Sequence, residues 1–247
     1  MAHVIHHFRP HLSEPEALEA ISVARETLLQ DILARLGAWQ PGASRQHYLL
    51  IGPRGIGKTH ILRLIEHRVR SSRELAQKWY PVCFPEEQYT LTSLADLVLE
   101  TLHRLGDATG DSGLRAAHAR LRFDPNHQRV TDLSLDALRQ FCVRAQCGIL
   151  LMVENLNRLL EQQIKSREQI ESLRKALIEE EWPLLIATSP TFLDAVTEPE
   201  EPLFEFFQVK FLQELSPTDV ELLLRKRATL ENDADFLEYL RRYYSRL

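Results

Sequence analysis

A chain of 247 residues, 44% of them hydrophobic, can bury one large core or one core with a small satellite. Its net charge of −5 argues against a surface that coats nucleic acid generally, although a local basic patch is compatible with that charge. No stretch approaches the roughly 18 consecutive apolar residues of a membrane helix, and the N-terminus lacks a signal-peptide core. We therefore expect a soluble, cytoplasmic protein.

Cysteine and histidine give little evidence for a metal centre. The three cysteines, Cys83, Cys142 and Cys147, show no C-x-x-C spacing and fall near apolar runs, which is typical of buried thiols in a reducing cytosol. Four histidines crowd the N-terminus, namely His3, His6, His7 and His11. We interpret them as part of a frayed polar terminus, because no cysteine is near and their spacing matches no familiar metal site.

The chain begins with two predicted helices. Ser13 and Glu16 form a capping-box pair, with Pro15 in the first turn of the helix that they start. The second helix is predicted from about Arg25 to Leu36, because its apolar residues follow the helical period.

A glycine-rich turn follows, between a predicted strand and a predicted helix. Tyr48–Ile51 reads as a buried strand, and the apolar residues after His60 follow the period of a packed helix. The turn reads G-x-x-x-x-G-K-T, which binds nucleoside triphosphates when it lies in this context. A chance match of a glycine-rich turn is disfavoured for the same reason. The nucleotide-contacting residues predicted here are Gly52, Pro53, Arg54, Gly55, Ile56, Gly57, Lys58, Thr59 and His60.

The chemistry of this loop predicts ATP or ADP with Mg²⁺ as ligands. Its glycines let the backbone approach a phosphate closely, and the N–H groups at the start of the helix can point at phosphate oxygens. Lys58 would reach the β- and γ-phosphates, and the Thr59 hydroxyl would bind the metal ion.

The middle of the chain alternates between the two types of element. Trp79–Phe84 is a strand candidate, and Ser93 caps an amphipathic helix. Residues 106–130 carry little pattern and predict a surface excursion with one short helix around Leu114–Leu121. A further helix is predicted over Leu135–Ala145.

The second half of the alternation predicts a parallel sheet. Gly148–Val153 is an unbroken apolar run, typical of a strand that is covered on both faces. A long charged helix is predicted over Asn157–Glu181, followed by strands at Trp182–Thr188 and Phe204–Leu212. We therefore predict an α/β fold in which helices sandwich a parallel sheet. After Leu215 the pattern is helical only, with Ser216 as an N-cap.

Polar residues that follow two of these strands complete the predicted site. Glu154 follows the third strand and is the predicted Mg²⁺ ligand opposite Thr59, because phosphate chemistry needs an acid beyond the loop. The alternative is an ordinary strand-end carboxylate in solvent. Thr188 and Ser189 end the fourth strand, where a hydroxyl could contact the γ-phosphate or orient water. A simple helix N-cap before Pro190 is the alternative for these two residues.

This order of parts resembles the AAA+ ATPases. Over about residues 20–230 it looks most like their origin-recognition and initiator-type branch, and the loop G-P-R-G-x-G-K-T is shared with the signal-transduction, STAND-like branch. The segment that begins Val23-Ala24-Arg25-Glu26 is similar to a V-G-R-E-x-x-L box that lies against adenine and ribose in these families. The resemblance implies that Arg25 and the backbone at Val23 lie close to the adenine, and that Ala24 in place of glycine is a mild change. The alternative for Arg25 is an exposed arginine at the start of a helix.

The resemblance also assigns roles. Gly52–Thr59 corresponds to the Walker A loop, Glu154-Asn155 to the Walker B pair, and Ser189 or Thr188 to the residue called sensor 1. The family's strand order places the Thr188 strand between the Walker A and Walker B strands. The usual Walker B pair is Asp-Glu, whereas Asn155 at the base position cannot accept a proton. We therefore expect slow hydrolysis, with Glu154, Asn155, Thr188 and Ser189 as the catalytic candidates.

The C-terminal part departs from the family. No Gly-Gly-x-Pro-Arg-like stretch precedes Leu247, so we expect an N-terminal portion of a longer protein with a partial helical lid. The expected division is an N-terminal helical segment (1–44), a P-loop ATPase core (45–213) and the start of the lid (214–247). Arg174 is the candidate for an arginine acting on a neighbouring subunit, with pairing to Glu171 as the alternative.

Two functions follow from the resemblance. The first is an ATPase or nucleotide switch that controls the assembly or remodelling of a larger complex. Protein partners are expected for it, nucleic acid would be reached through further domains, and a nucleotide-dependent homo-oligomer stays open. The second is a STAND-like signalling or defence ATPase with slow or absent hydrolysis. A small-molecule P-loop kinase fits poorly, because the acid-tipped strand lies too far downstream and the tail is helical.

Overall fold

A computed structural model describes residues 13–40, 42–85, 91–164 and 166–243. The four N-terminal histidines, for which the sequence predicts a frayed terminus, lie outside the described residues. None of the helices in the described ranges is long and apolar enough to cross a membrane.

The described residues form five strands and twelve α-helices. The strands are β1 (His47–Ile51), β2 (Trp79–Phe84), β3 (Gly148–Val153), β4 (Pro183–Ser189) and β5 (Phe207–Phe211). The helices of the first half are α1 (Pro15–Ala20), α2 (Glu26–Ala38), α3 (Lys58–Ser71), α4 (Arg73–Lys78), α5 (Leu94–Thr109) and α6 (Ser112–Leu121). Those of the second half are α7 (His127–Ala145), α8 (Leu156–Arg158), α9 (Arg167–Glu179), α10 (Asp194–Thr197), α11 (Pro217–Leu230) and α12 (Ala234–Tyr243).

The strands form one sheet in the order β2-β3-β4-β1-β5, and every neighbouring pair is parallel. The predicted parallel sheet is confirmed, and so is the expected place of β4 between β1 and β3. Because all strands run the same way, their carboxyl ends meet at one edge of the sheet. The P-loop, Glu154 and Ser189 therefore come together at that edge.

The two faces of the sheet carry different helices. Leu49 and Ile51 of β1 pack with buried side chains of α5, α7 and α9, whereas Tyr48 and Leu50 pack with α2 and α3. This alternation follows from the period of two in a strand. It gives three layers, with the core split between both faces of the sheet.

The region 106–130 differs from its prediction. Instead of a surface excursion with one short helix, it contains the end of α5, all of α6 and the start of α7. Two polar residues that read as loop signals are helix N-caps. Asp111 accepts a hydrogen bond from Leu114 N at 2.8 Å, and Asn126 accepts one from Arg129 N at 3.0 Å. The residues that suggested a break thus start new helices.

The prediction of one long helix over Asn157–Glu181 is also wrong. The chain forms the short α8, a π-helical turn at Leu159–Gln163, and then α9. Ser166 starts α9 anew by accepting a hydrogen bond from Gln169 N at 3.2 Å. At the N-terminus, the N-cap of α1 is Glu14 rather than Ser13, and its side chain makes no capping hydrogen bond.

Candidate functional site

The P-loop lies at the carboxyl edge of the sheet, between β1 and α3. Gly52 N donates to the Ser189 carbonyl oxygen at 3.1 Å, and Ile56 N donates to Pro53 O at 3.3 Å, so the loop is fixed at its start and turns at 53–56. Gly55 (φ 84°) and Gly57 (φ 98°) adopt left-handed backbone that favours glycine. The first N–H groups of α3 have no acceptor within the helix, so this turn presents donors suited to phosphate.

Lys58 is the first residue of α3, and its side chain bends back over the loop. Its Nζ donates to Gly52 O at 2.6 Å and to Pro53 O at 3.0 Å. The side chain is largely buried, with 9% exposed. The ammonium group is therefore held over the concave side of the loop by carbonyl oxygens, which the oxygens of a phosphate can replace.

Thr59 and Glu154 meet across the site. The Thr59 hydroxyl donates to Glu154 Oε2 at 2.9 Å. The period of the strand explains this contact. Met152 of β3 packs on the α3 face of the sheet, and Glu154, two residues later, points to the same side. A hydroxyl and a carboxylate are oxygen ligands of the kind that Mg²⁺ uses, so the residues present fit this ion.

Thr188 and Asn155 form a second contact at the same edge. Asn155 N donates to the Thr188 hydroxyl oxygen at 3.1 Å. Asn155 has φ 50° and ψ 60° and is the N-cap of α8. Asparagine tolerates this left-handed conformation better than most side chains. This backbone requirement is a structural reason for asparagine that the sequence comparison with Asp-Glu pairs cannot supply.

Ser189 behaves differently from Thr188. Its hydroxyl donates to Thr191 O at 2.6 Å and accepts from Thr191 N at 3.4 Å, which closes the turn after β4. Ser189 belongs to the face of Ala187 and α5, whereas Thr188 belongs to the α3 face with Ile186. Of the two residues predicted as sensor 1, Thr188 is therefore the one that contacts Asn155.

Arg25 joins three segments of the chain. Its Nη2 donates to Gln213 O at 2.7 Å and lies 3.4 Å from Ile56 O of the P-loop. Burial lowers the pKa of Arg25, and the nearby carboxylate of Asp219 on α11 opposes that shift. The guanidinium group thus contacts the P-loop and the connection from β5 to α11 at once. Val23 is half-buried in the same N-terminal segment.

Ala24 has a positive φ of 55°, in the region that favours glycine. A left-handed conformation costs an L-residue roughly 1–2 kcal/mol. The replacement of glycine by Ala24 is therefore not as mild as the sequence comparison implies.

His60 faces the N-terminal segment rather than the loop. Its Nε2 lies 3.0 Å from Leu18 O of α1. Burial is the main cause that lowers its pKa, so the neutral ring is favoured. The predicted nucleotide contact of this residue is thus left to its backbone N–H group.

Arg68 ties both N-terminal helices to α3, and sequence reasoning missed it. Its Nε and Nη2 donate to the Glu19 carboxylate at 2.7 and 2.9 Å, and Nη1 and Nη2 donate to Glu26 at 2.9 and 2.8 Å. Lys226 of α11 adds a bond to Ser22 O at 2.7 Å. The partners lie too far apart in sequence for any local pattern to reveal them. The N-terminal segment is therefore held between α3 and α11.

Arg174 is exposed on α9, and its alternative partner is taken. Glu171 accepts from Arg167 at 2.9 Å. The structure thus pairs Glu171 with Arg167, and not with Arg174 as the alternative interpretation of the sequence has it.

Comparisons with known proteins agree with this architecture. Residues 37–123 match the model of the ORC-CDC6-like family. The Aeropyrum pernix ORC1 protein in complex with DNA superposes with a TM-score of 0.59 at 15% identity, covering 87% of this chain and 53% of that one. The A. pernix ORC2 protein in ADPNP-ADP complexes gives 0.61 at 15% identity, covering 84% of this chain and 52% of that one. No curated protein sequence matches the chain.

A third structure, CDC6P from Pyrobaculum aerophilum, gives a TM-score of 0.54 at 14% identity, covering 87% of this chain and 53% of that one. The chain thus spans about half the length of these three proteins. The sheet order, the P-loop between β1 and α3, and the match over 37–123 point the same way. The chain has an AAA+-like P-loop fold, and over residues 37–123 it resembles the ORC-CDC6-like family.

Proposed function

We propose that this chain binds ATP or ADP together with Mg²⁺ and acts as a nucleotide-controlled AAA+-type module. The observation that carries the proposal is the 2.9 Å contact between the Thr59 hydroxyl and the Glu154 carboxylate, beside a P-loop that holds Lys58. Two oxygen ligands and a cation meet there at the N-terminus of one helix, as a metal–triphosphate complex requires.

Each group at the site has a task in this proposal. The N–H groups of 55–59 bind phosphate oxygens, and Lys58 exchanges the carbonyl oxygens of Gly52 and Pro53 for phosphate. Thr59 and Glu154 would hold Mg²⁺, which neutralises phosphate charge when bound. The relative A. pernix ORC2 has been crystallised with ADPNP and ADP, which supports the nucleotide assignment.

Arg25 is the residue that we propose to link the nucleotide to the lid. In the proposed division of the chain into 1–44, 45–213 and 214–247, Arg25 connects all three parts. Arg25 belongs to the first part, Ile56 O to the second, and Gln213 O lies at the border of the third. A ligand that moves the P-loop or contacts Val23 and Arg25 would thus change the contacts of α11.

We propose slow hydrolysis for the isolated chain. Asn155 can hold a water molecule by its amide but cannot take its proton, and a general base is worth roughly 10²–10⁴-fold in rate. Its backbone N–H group donates to the Thr188 hydroxyl oxygen, which fixes the backbone directly after Glu154. A trans-acting arginine, for which the exposed Arg174 is the candidate, would add a further roughly 10³–10⁵-fold.

The wider role that we propose is control of the assembly or remodelling of a larger complex in the cytoplasm. The relative ORC1 is in complex with DNA, which supports a DNA-associated target reached through additional domains. Protein partners and nucleotide-dependent self-association belong to this proposal. The second candidate is a STAND-like signalling ATPase, and Asn155, whose amide cannot accept a proton, is the residue that favours it.

Calorimetric titration with Mg-ATP tests the nucleotide site. We expect stable binding to the wild-type chain and loss of binding, by at least about 100-fold in affinity, in Lys58→Ala, because a charge-assisted contact to phosphate is removed. Lys175→Ala is the matched control, since this lysine is exposed on α9 and its side chain is 70% accessible. Undiminished affinity in a folded Lys58→Ala chain would refute the proposed site.

A further inference from the structure

The end of α7 brings two cysteines together at the amino edge of the sheet. Gln146 has φ 52° and ψ 41° and reverses the chain after Ala145. Cys147 N then donates to Cys142 O at 3.1 Å, the six-to-one hydrogen bond of a Schellman motif. A contact between the side chains of the two residues joined by this bond frequently accompanies the motif. Here both of those residues are cysteines.

The two thiols are buried next to each other. Cys142 is 5% and Cys147 4% exposed, and both pack in the same hydrophobic cluster. Hydrogen bonding between the two thiols raises the pKa of Cys142 and lowers the pKa of Cys147. Cys147 is therefore the thiol that ionises more easily, and the thiolate is the reactive form.

A cavity is lined by both cysteines. Its volume is about 330 Å³, and Trp39, Cys142, Val143, Cys147 and Trp182 line it. Val143 is 64% exposed, so the cavity reaches the protein surface. One water molecule occupies about 30 Å³ in the liquid, so a cavity of this volume is large enough for a small organic thiol.

We propose that Cys142 and Cys147 form a reversible intramolecular disulfide, with a low-molecular-weight disulfide as the oxidant. The Cys147 thiolate attacks one sulfur of the oxidant and releases one small thiol. The Cys142 sulfur then attacks Cys147 in the mixed disulfide, gives up its proton, and releases the second small thiol. The protein loses two hydrogen atoms, and the oxidant gains them as two thiols.

Other ligands of the pair fit the site less well. Among the described residues, no group of three or more His, Cys, Asp or Glu side chains could hold a metal ion. The third cysteine, Cys83, lies on the edge strand β2 and donates to Met152 Sδ at 3.7 Å. Burial is the main cause that raises the pKa of Cys83. The reactive thiol is thus expected at Cys147.

The disulfide would close the turn between α7 and β3 without touching the nucleotide site. The cysteines lie where β3 begins, whereas Glu154 follows its end, and six strand residues separate them by roughly 20 Å. Oxidation is therefore expected to raise the midpoint of thermal unfolding and to leave the affinity for Mg-ATP unchanged.

Mass spectrometry of the folded wild-type chain tests the proposal. The chain is incubated with oxidised glutathione, unreacted thiols are alkylated, and the protein is digested with trypsin. Cleavage after Arg144 separates the two cysteines, so only a disulfide joins the peptide of Cys142 to that of Cys147. We expect this linked pair and an intact mass lower by two hydrogen atoms. Alkylated thiols at both positions, or a bond that includes Cys83, would overturn the proposal.

Single variants test the order of attack. Cys142→Ser keeps a hydroxyl donor beside Cys147 and is expected to carry one glutathione at Cys147. Cys147→Ser leaves Cys142 of the pair, whose pKa is also raised by burial, and Cys142 is expected to stay unmodified under the same conditions. Cys83→Ser is the matched control and should form the bond as the wild type does. Glutathione on Cys142 in place of Cys147 would refute the assignment of the attacking thiol.

Discussion

Two glutamates lie at opposite edges of the same sheet, and their surroundings differ in kind. Glu180 precedes β4 at the amino edge and is 6% exposed. Its carboxylate accepts from Arg139 Nε and Nη2 at 3.1 and 2.5 Å and from Trp182 Nε1 at 2.8 Å. Glu154 follows β3 at the carboxyl edge, is half-buried, and accepts from the rotatable Thr59 hydroxyl at 2.9 Å.

The difference shows that contacts at the amino edge stabilise the fold, whereas contacts at the carboxyl edge are suited to exchange for those of a ligand. Guanidinium and indole donors with fixed geometry saturate Glu180, and Arg45 donates to its backbone carbonyl. His47 extends this network by accepting from Leu185 N at 3.0 Å and stacking on Phe206. At the carboxyl edge, a hydroxyl, an ammonium group and loop carbonyls hold one another by contacts that a ligand can replace. Substitutions at the amino edge should therefore change the stability of the fold, whereas those at the carboxyl edge should change the affinity for ligands.

The largest expected effect is the acid sensitivity of the amino edge. Burial, and then Arg45, lower the pKa of His47 from 6.5 to about 4, so this ring stays neutral in the folded chain. The unfolded chain takes up the proton first as the pH falls, so stability is lost between about pH 6.5 and pH 4. The shift corresponds to about 3 kcal/mol.

Urea unfolding at several pH values measures the effect of His47. His47→Asn is the control, because its amide oxygen takes the place of Nδ1 and can still accept from Leu185 N but does not titrate. The wild type should lose more stability than His47→Asn over this range. Equal losses in the two chains would contradict the assignment.

The next expected effect is at Glu180. Glu180→Ala removes the acceptor of the Trp182 indole N–H and of Arg139, and should lower the free energy of unfolding by about 2–3 kcal/mol. The estimate lies below the usual range for a buried pair because the Arg139 side chain is 53% exposed. Glu179→Ala is the neighbouring control. Glu179 pairs with Lys175 at 3.9 Å with both side chains exposed, and its loss should cost less than about 0.5 kcal/mol.

Glu154→Gln sharpens the comparison from the other edge. Here we expect a change in unfolding free energy of less than about 0.5 kcal/mol. The Mg²⁺-dependent part of the ATP affinity should fall about tenfold, or about 1.4 kcal/mol. Titrations with Mg²⁺ and with a chelator separate the two contributions. A large loss of stability with an unchanged metal dependence would mean that Glu154 resembles Glu180 in its role.

The smallest expected effect lies beside the site, at Ala24. Ala24→Gly removes the strain of a positive φ and should raise the free energy of unfolding by about 0.5–1 kcal/mol. Ala116→Gly is the control, because Ala116 is exposed within α6 and glycine should destabilise it by about 0.5–1 kcal/mol. Chemical denaturation of both variants measures the sign of each change in the free energy of unfolding. A lower stability of the Ala24→Gly chain would contradict the backbone strain that we assign to Ala24.

Local patterns predicted the strands well and the helix breaks poorly. The predicted bounds of Trp79–Phe84 and Gly148–Val153 are those of β2 and β3, because a short apolar run between turn signals depends on neighbours in sequence. Asp111, Asn126 and Ser166 were harder to interpret. Each carries a polar side chain that suits a loop and an N-cap equally, and packing decides between the two.

The sequence by itself determined the place of the P-loop, the class of the fold and the acid that follows β3, because motif spacing and hydrophobic period are properties of adjacent residues. Only the tertiary structure decided the complete order β2-β3-β4-β1-β5, the direct 2.9 Å hydrogen bond from Thr59 to Glu154 and the network around Glu180. Thr59 and Glu154 lie 95 positions apart, and Arg139 and Glu180 lie 41 apart. Contacts across such separations depend on how the layers pack, and no local pattern encodes that packing.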